Sequence, residues 1–356
     1  MRKLTTLAVI NQKGGVGKTT TVINLAASLS ILGQSNLVVD LDPQGNATTG
    51  LGKSNSDENK NIYNLLIKKI KIKDAIQKTE IENLDIIGSH VNLSGLEVET
   101  ANDSNRAFVL KEILSAEMNG LLENYDNIFI DCPPSLSLLT IMALVASDEL
   151  LVPLQTEFFA LEGITQLVKT IDRIKENLNP TLSIRGILLT MFDKRNKLSS
   201  QVDKEARNYF KEKVYQTVIQ RNVRLSEAPS HGLPCVIYDK NCVGSKSYFK
   251  LAEEFMKRAT EQIGFSVRGV YCMSQCKRPC VVSFTAADYF TYSFGDLDPE
   301  CSEHIDALFT FAEMYASAPE GFVLRNDRPE VLRAGILGRY PPIKTASELV
   351  SILSKK

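Results

Sequence analysis

Apolar residues fall in short unbroken runs along the first 260 or so positions, not in strict alternation with polar ones. Leu4–Ile10, Leu37–Asp40, Leu84–Gly88, Asn127–Asp131, Glu149–Pro153, Ile184–Met191 and Cys235–Ile237 are such runs, most of them rich in leucine and β-branched residues. Runs of this kind suit strands buried on both faces, as in a parallel sheet. Helical stretches lie between them, among them Thr20–Leu32, Arg106–Glu123, Leu161–Asn177, Ser200–Tyr209 and Ser245–Ala259. Strand–helix repetition predicts an α/β fold: a doubly wound, mostly parallel sheet with helices on both faces. Ligands then bind at the carboxyl ends of the strands. The polar segment Lys53–Asn61 reads as a loop.

Composition narrows the class. The chain has 356 residues, 44% hydrophobic and 23% charged, as ordinary soluble globular proteins do. Its formal net charge is −1, so any contact with DNA must come from a local patch. The longest apolar stretch, Leu136–Ala146, is too short to span a bilayer. Seven cysteines without a secretory signal imply reduced thiols in a cytoplasm. Composition shifts near Gly264. The 93 residues from there on hold twelve of the 26 aromatics, four of the seven cysteines and only four lysines. This predicts two units, residues 1–262 and a C-terminal module of residues 263–356, the latter of α+β type.

Candidate chemistry centres on Asn11-Gln12-Lys13-Gly14-Gly15-Val16-Gly17-Lys18-Thr19-Thr20, between an apolar run and a helical stretch. Strand, glycine loop and helix make the context of a phosphate-binding loop. The amides of Gly14, Gly15, Val16, Gly17 and Lys18 can wrap a phosphate at the positive end of the helix dipole. Lys18 would sit between the β- and γ-phosphates, and the Thr19 hydroxyl would bind Mg²⁺. The usual pattern puts its first glycine where this chain has Gln12. A second lysine, Lys13, stands at the loop's entrance instead. It is either a solvated surface lysine or a group that reaches a phosphate held by a facing subunit.

Two further segments complete the pattern. Asp40 and Asp42 lie two apart at the end of an apolar run, so both point to one face. A carboxylate there can hold Mg²⁺ through water or orient an attacking water. Asn127-Ile128-Phe129-Ile130-Asp131 is an apolar strand ending in aspartate, the pattern that places a carboxylate on the Mg²⁺ shell. Cys132 beside it reads as a small buried thiol.

These segments, with Asn222-Val223-Arg224-Leu225-Ser226-Glu227-Ala228-Pro229-Ser230-His231-Gly232, resemble the ParA/Soj/MinD family of deviant Walker-A ATPases over about residues 1–258. The resemblance implies ATP and Mg²⁺ as ligands. It implies that Lys13 reaches across an ATP-sandwiched homodimer, that Lys18, Thr19 and Thr20 serve phosphate and metal, and that Asp42 positions the hydrolytic water. Asp40 would support the metal region and Asp131 the metal itself, while Met191 and Pro229 would lie near adenine. Arg195 and Arg224 match positions of DNA-contacting arginines, so the ATP dimer would bind DNA without sequence preference and associate with the nucleoid. Hydrolysis would be slow, because no strong general base or arginine finger is evident, and a ParB-like centromere-binding protein would accelerate it. The implied role is chromosome or plasmid partition. A membrane-associated positioning ATPase of the MinD kind is the alternative, but it needs a terminal basic amphipathic helix. Leu251–Arg258 has little basic character and Ser347–Lys356 is short.

The motifs of the last 93 residues resemble no family that can be recognised from them. Cys272, Cys276 and Cys280, followed by Cys301 and His304, could supply zinc ligands, or could be ordinary reduced cysteines. Glu303–Tyr315 reads as an amphipathic helix with core aromatics.

Overall fold

In the sheet order β3-β4-β2-β5-β1-β6-β7 the first strand lies near the centre, and the chain winds away from it to both sides. The strands are β1 (Thr5–Val9), β2 (Asn36–Asp40), β3 (Ile76–Lys78), β4 (Leu84–Ile87), β5 (Asn127–Asp131), β6 (Glu149–Gln155) and β7 (Ser183–Thr190). The computed structural model describes residues 4–54, 57–118, 120–158, 160–262, 278, 280–299 and 301–342. All pairings in this sheet are parallel except the edge pair β3–β4. Every residue of β2 and β5 is buried, as the unbroken apolar runs required. Leu7, Val38 and Phe129 are fully covered, and such side chains contribute roughly 1.5–3 kcal/mol each on burial.

Register positions the chemistry. Asp131 lies opposite Val9 on one side and Asp40 on the other. The carboxyl ends of β1, β2 and β5 therefore meet at one level, where the winding direction reverses. The helix Lys18–Ile31 starts directly beyond β1.

Three expectations need correction. Cys235–Ile237 is not a strand but part of a single helical turn, Cys235–Tyr238. Pro234 opens that turn and lacks a donor for a ladder, while its carbonyl accepts the amides of Ile237 and Tyr238. The helix expected over Arg106–Glu123 breaks into a 3₁₀ turn (Arg106–Phe108), a helix (Val109–Ala116) and a second 3₁₀ turn (Leu121–Asn124). Gly120, at φ −139° and ψ −114°, precedes the last of these. The three-residue edge strand β3 was not anticipated.

The chain divides into two compact units that part between Phe255 and Met256. That point lies inside the helix Val243–Gln262. The C-terminal unit holds an antiparallel sheet, β8 (Val282–Phe284), β9 (Thr291–Phe294) and β10 (Ile336–Tyr340), in the order β10-β9-β8. Its helix Ser302–Ser317 packs Phe311 and Tyr315 against Phe290, Tyr292 and Phe294. Cys272 and Cys276 lie outside the described residues. Cys280 is exposed and Cys301 half-buried. The His304 Nδ1 accepts the Asp298 amide at 3.0 Å, so this ring serves a loop.

Candidate active site

A cleft of about 520 Å³ opens at the carboxyl ends of the central strands. Gly14, Gly15, Gly17, Lys18, Thr19 and Thr20 line one wall, and Asp42, Pro134, Met191 and Pro229 line others. Gly15 and Gly17 have φ of 75° and 89°. These left-handed conformations favour glycine, and such a turn suits a loop whose successive amides receive an anion. The helix Lys18–Ile31 has no side-chain cap at its start and no acid in its first turn. Its amino-terminal amides remain available to an anion.

The loop is held from three sides. The Asn11 side chain donates to the Pro153 carbonyl at 2.8 Å and accepts the Lys13 amide at 3.0 Å. Thr190, ending β7, donates its hydroxyl to the Val16 carbonyl at 2.9 Å. Lys18 Nζ donates to the Lys13 carbonyl at 3.0 Å. Lys18 is buried, and burial lowers its pKa against the opposing pull of Asp131, Cys132 and Asp42.

Three aspartates stand behind the loop in different conditions. Asp40 accepts the Thr48 amide and hydroxyl at 2.8 and 2.7 Å and the Asp42 amide at 3.1 Å. Burial still pushes its pKa up to about 6. Asp40 is not on the cleft wall, so its work is to fix the segment that carries Asp42. Asp42 faces the cleft and accepts the Gln44 amide at 3.0 Å. Asp131 is wholly buried, and neither of its oxygens has a well-formed hydrogen bond. Burial first, then the neighbouring Asp40, holds its pKa well above the usual carboxylate range. Thr19 and Lys18 are the neighbours that favour its charged form.

A buried carboxylate so weakly compensated calls for a cation. Asp131, the Thr19 hydroxyl and Asp42 form an all-oxygen donor set that fits a hard divalent ion. No group of three His, Cys, Asp or Glu side chains suited to a metal occurs among the described residues. A cation here would therefore share its shell with water or phosphate, as Mg²⁺ commonly does. Burial raises the Cys132 thiol pKa far above its ordinary value, so Cys132 is no nucleophile.

Like Asp40, the residues Lys13, Val16 and Asp131 are not on the cleft wall. Val16 is buried and contributes its backbone. Lys13 turns outward and pairs with Glu157, its side chain 53% exposed. Sequence reasoning missed Gln220, Arg221 and Tyr248 on the wall. Tyr248 OH meets Thr21 Oγ1 at 3.2 Å across 227 positions of sequence, a separation no local pattern reveals.

Arg195 lies in a turn after β7, and Arg224 opens the helical turn Arg224–Glu227. Phe192 bridges Gln220, and the Arg221 amide donates to the Phe192 carbonyl at 3.1 Å. Arg195 donates to both oxygens of Asp193 at 3.1 and 3.0 Å. Arg224 pairs with Glu227 at 2.7 Å and with Asp239 at 3.5 Å. Among the described residues, no helix is long and apolar enough to cross a membrane.

Comparison with known proteins adds two family matches. Residues 4–184 match the model of an AAA domain, and residues 238–342 match a protein family of unknown function (DUF1636). The chain is 49% identical over 260 residues to the chromosome partitioning protein ParA of Caulobacter vibrioides, covering 73% of this chain and 96% of that one. It is 49% identical over 253 residues to the chromosome-partitioning ATPase Soj of Treponema pallidum, covering 71% and 97%. Among solved structures, cobyrinic acid a,c-diamide synthase of Mycobacterium smegmatis with bound ADP and magnesium superposes with a TM-score of 0.63 at 29% identity, covering 76% of this chain and all of that one.

Proposed function

The chain belongs to the ParA/Soj family of partition ATPases, and on that premise we propose that ATP joins two copies of it into a dimer that holds DNA. It is a partition ATPase that takes ATP with Mg²⁺. The observation that carries the dimer is the position of Lys13. This lysine leaves the cleft that its own loop forms and stands half-exposed on the surface. Exposed ion pairs are worth at most about 1 kcal/mol, so a phosphate of a facing copy can take Lys13 from Glu157.

Within one copy, the amides of Gly14 to Lys18 hold the phosphates, and Lys18 exchanges the Lys13 carbonyl for phosphate oxygen. Asp131 and Thr19 would hold Mg²⁺, which offsets phosphate charge when bound. Asp42 orients the attacking water. It is the one acid on the cleft wall among the described residues, and no histidine lines it. So sparse a catalytic set supports slow turnover and a ParB-like partner that raises it. Met191 and Pro229 also line the cleft, which supports a contact with the adenine.

The same loops support nucleotide-dependent DNA binding. Met191, Arg221 and Asn222 line the cleft, while Arg195 and Arg224 lie within a few residues of them in sequence and are exposed. Dimerisation would double this patch, giving steep salt dependence. We place the ATPase unit at residues 1–262 and the C-terminal module at 263–356.

The test is duplex binding and dimer formation with ATP, ADP or no nucleotide, for wild type and Lys13→Ala. Wild type is expected to dimerise and shift random duplex with ATP alone, and added salt should weaken the shift. Lys13→Ala should keep nucleotide affinity but lose dimer, shift and turnover. Equal duplex binding in all nucleotide states, or full turnover by the variant, would overturn the reading.

A further inference from the structure

We propose that Cys235 and Cys242 form a redox-active dithiol that closes to a disulfide under low-molecular-weight disulfides, and that closure fixes Arg224 against Asp239. The two sulfurs lie 3.5 Å apart and both are reduced. Closure to a bond of about 2 Å needs the sulfurs to approach by about 1.5 Å. The short segment between them is already drawn together. Ser245 Oγ lies 2.9 Å from the Cys235 carbonyl and 2.7 Å from the Asp239 carbonyl.

The two thiols have unequal surroundings, and this sets their order of reaction. Cys242 is half-buried and immediately precedes the helix Val243–Gln262. Its sulfur accepts the Ser245 amide at 3.3 Å, and of the two thiols it is the one a small disulfide can reach. Cys235 is buried, and burial pushes its thiol up to about 12. Cys242 thiolate therefore attacks the small disulfide first, forming a mixed disulfide and releasing one small thiolate. The Cys235 thiol then gives its proton to that thiolate and attacks the Cys242 sulfur, expelling the second small thiolate, which takes the Cys242 proton from solvent. The dithiol is oxidised by two electrons and one small disulfide is reduced to two thiols. In a reducing cytosol the pair stays open, so closure reports oxidative load.

Asp239 links this chemistry to the surface. One of its oxygens accepts the amides of Asn241 and Cys242, each at 3.2 Å. The other faces Arg224 Nε at 3.5 Å. A disulfide to Cys242 fixes the loop that presents this carboxylate, and Arg224 stays with Asp239 instead of turning to a phosphate. This last consequence rests on the DNA-binding reading of Arg224; the disulfide does not.

The experiment uses the full-length protein, reduced and then equilibrated with rising ratios of oxidised to reduced glutathione. Peptide mass mapping should show the Cys235 and Cys242 peptides joined with loss of two hydrogens, reversibly, and not in Cys242→Ser. A glutathione adduct that stops at Cys242, or Cys235 joined to a different cysteine, overturns the dithiol. Oxidised wild type with ATP should bind random duplex severalfold more weakly than reduced wild type, whereas Cys242→Ser should bind equally under both conditions. A disulfide that forms and leaves duplex affinity unmoved overturns the link to Arg224. Reduced protein that ignores duplex overturns the DNA reading instead, and the dithiol stands on its mass.

Discussion

Asp131 sits buried beside Asp40 with no well-formed hydrogen bond, and the nucleotide-free protein bears that cost in its stability. An uncompensated buried charge costs several kcal/mol, so the group resists ionising. Asp40 is pushed up to about 6 by the same burial, although Thr48 and Asp42 pull it down. A carboxyl whose folded pKa is raised stabilises the fold in its neutral form. That contribution is complete below the ordinary carboxylate range and is lost as pH rises through about 6. Nucleotide-free protein is therefore expected to melt at a higher temperature at about pH 5 than at about pH 7.5. Mg²⁺ with ATP should flatten this slope by giving Asp131 a counter-charge, and Asp131→Asn should flatten it without ligand. Thermal melts across pH decide the matter, and an unchanged slope in Asp131→Asn would remove the carboxylates as its cause.

Strand β7 shows what an element requires beyond its apolar pattern. A Cβ at Gly186 would stand 2.3 Å from the Tyr215 ring and 3.0 Å from the Lys213 carbonyl. Tyr215 is fully buried, and its amide donates to the Ile187 carbonyl at 2.9 Å. Gly186→Ala should therefore destabilise the protein by about 1–3 kcal/mol through overpacking, with nucleotide affinity unchanged. Chemical denaturation beside a nucleotide titration checks both halves, and a wild-type midpoint would refute the packing argument. Nothing local marks Gly186, because its partner ring is 29 positions away. The main strands were legible because burial on both faces demands unbroken apolar runs, and the phosphate loop because its glycines are bound to one geometry. Cys235–Ile237 misled because three apolar residues fit a strand or a helical turn equally, and Pro234 decided for the turn. The cleft was half legible. Gly14, Gly15, Gly17, Lys18, Thr19, Thr20, Asp42, Met191 and Pro229 line it, and Asp131 stands behind it. Tyr248 and Arg221 arrive through folding, and Asp40 faces its own loop instead of the cleft.

The two units have separate cores, one around the parallel sheet and one built on Phe290, Tyr292, Phe294, Phe311 and Tyr315. The alignment to the Caulobacter protein uses 96% of that relative but only 73% of this chain. An ATPase of this family is thus whole without the C-terminal module. Where a cut can be made follows from the helix Val243–Gln262, which carries Tyr248 to the cleft. Phe255 of the same helix lies 3.8 Å beneath the Arg185 guanidinium and accepts a hydrogen bond from it at 3.0 Å. A fragment of residues 1–262 keeps these contacts. It should fold, hydrolyse ATP at the full-length rate and bind duplex with ATP. A fragment ending at residue 237, where the second family match begins, loses Tyr248 and Phe255 and should fail to fold or to hold nucleotide. Paired expression, thermal melts and ATP turnover of the two fragments place the boundary. If residues 1–262 were as unstable as residues 1–237, the C-terminal module would belong to the ATPase's own folding unit.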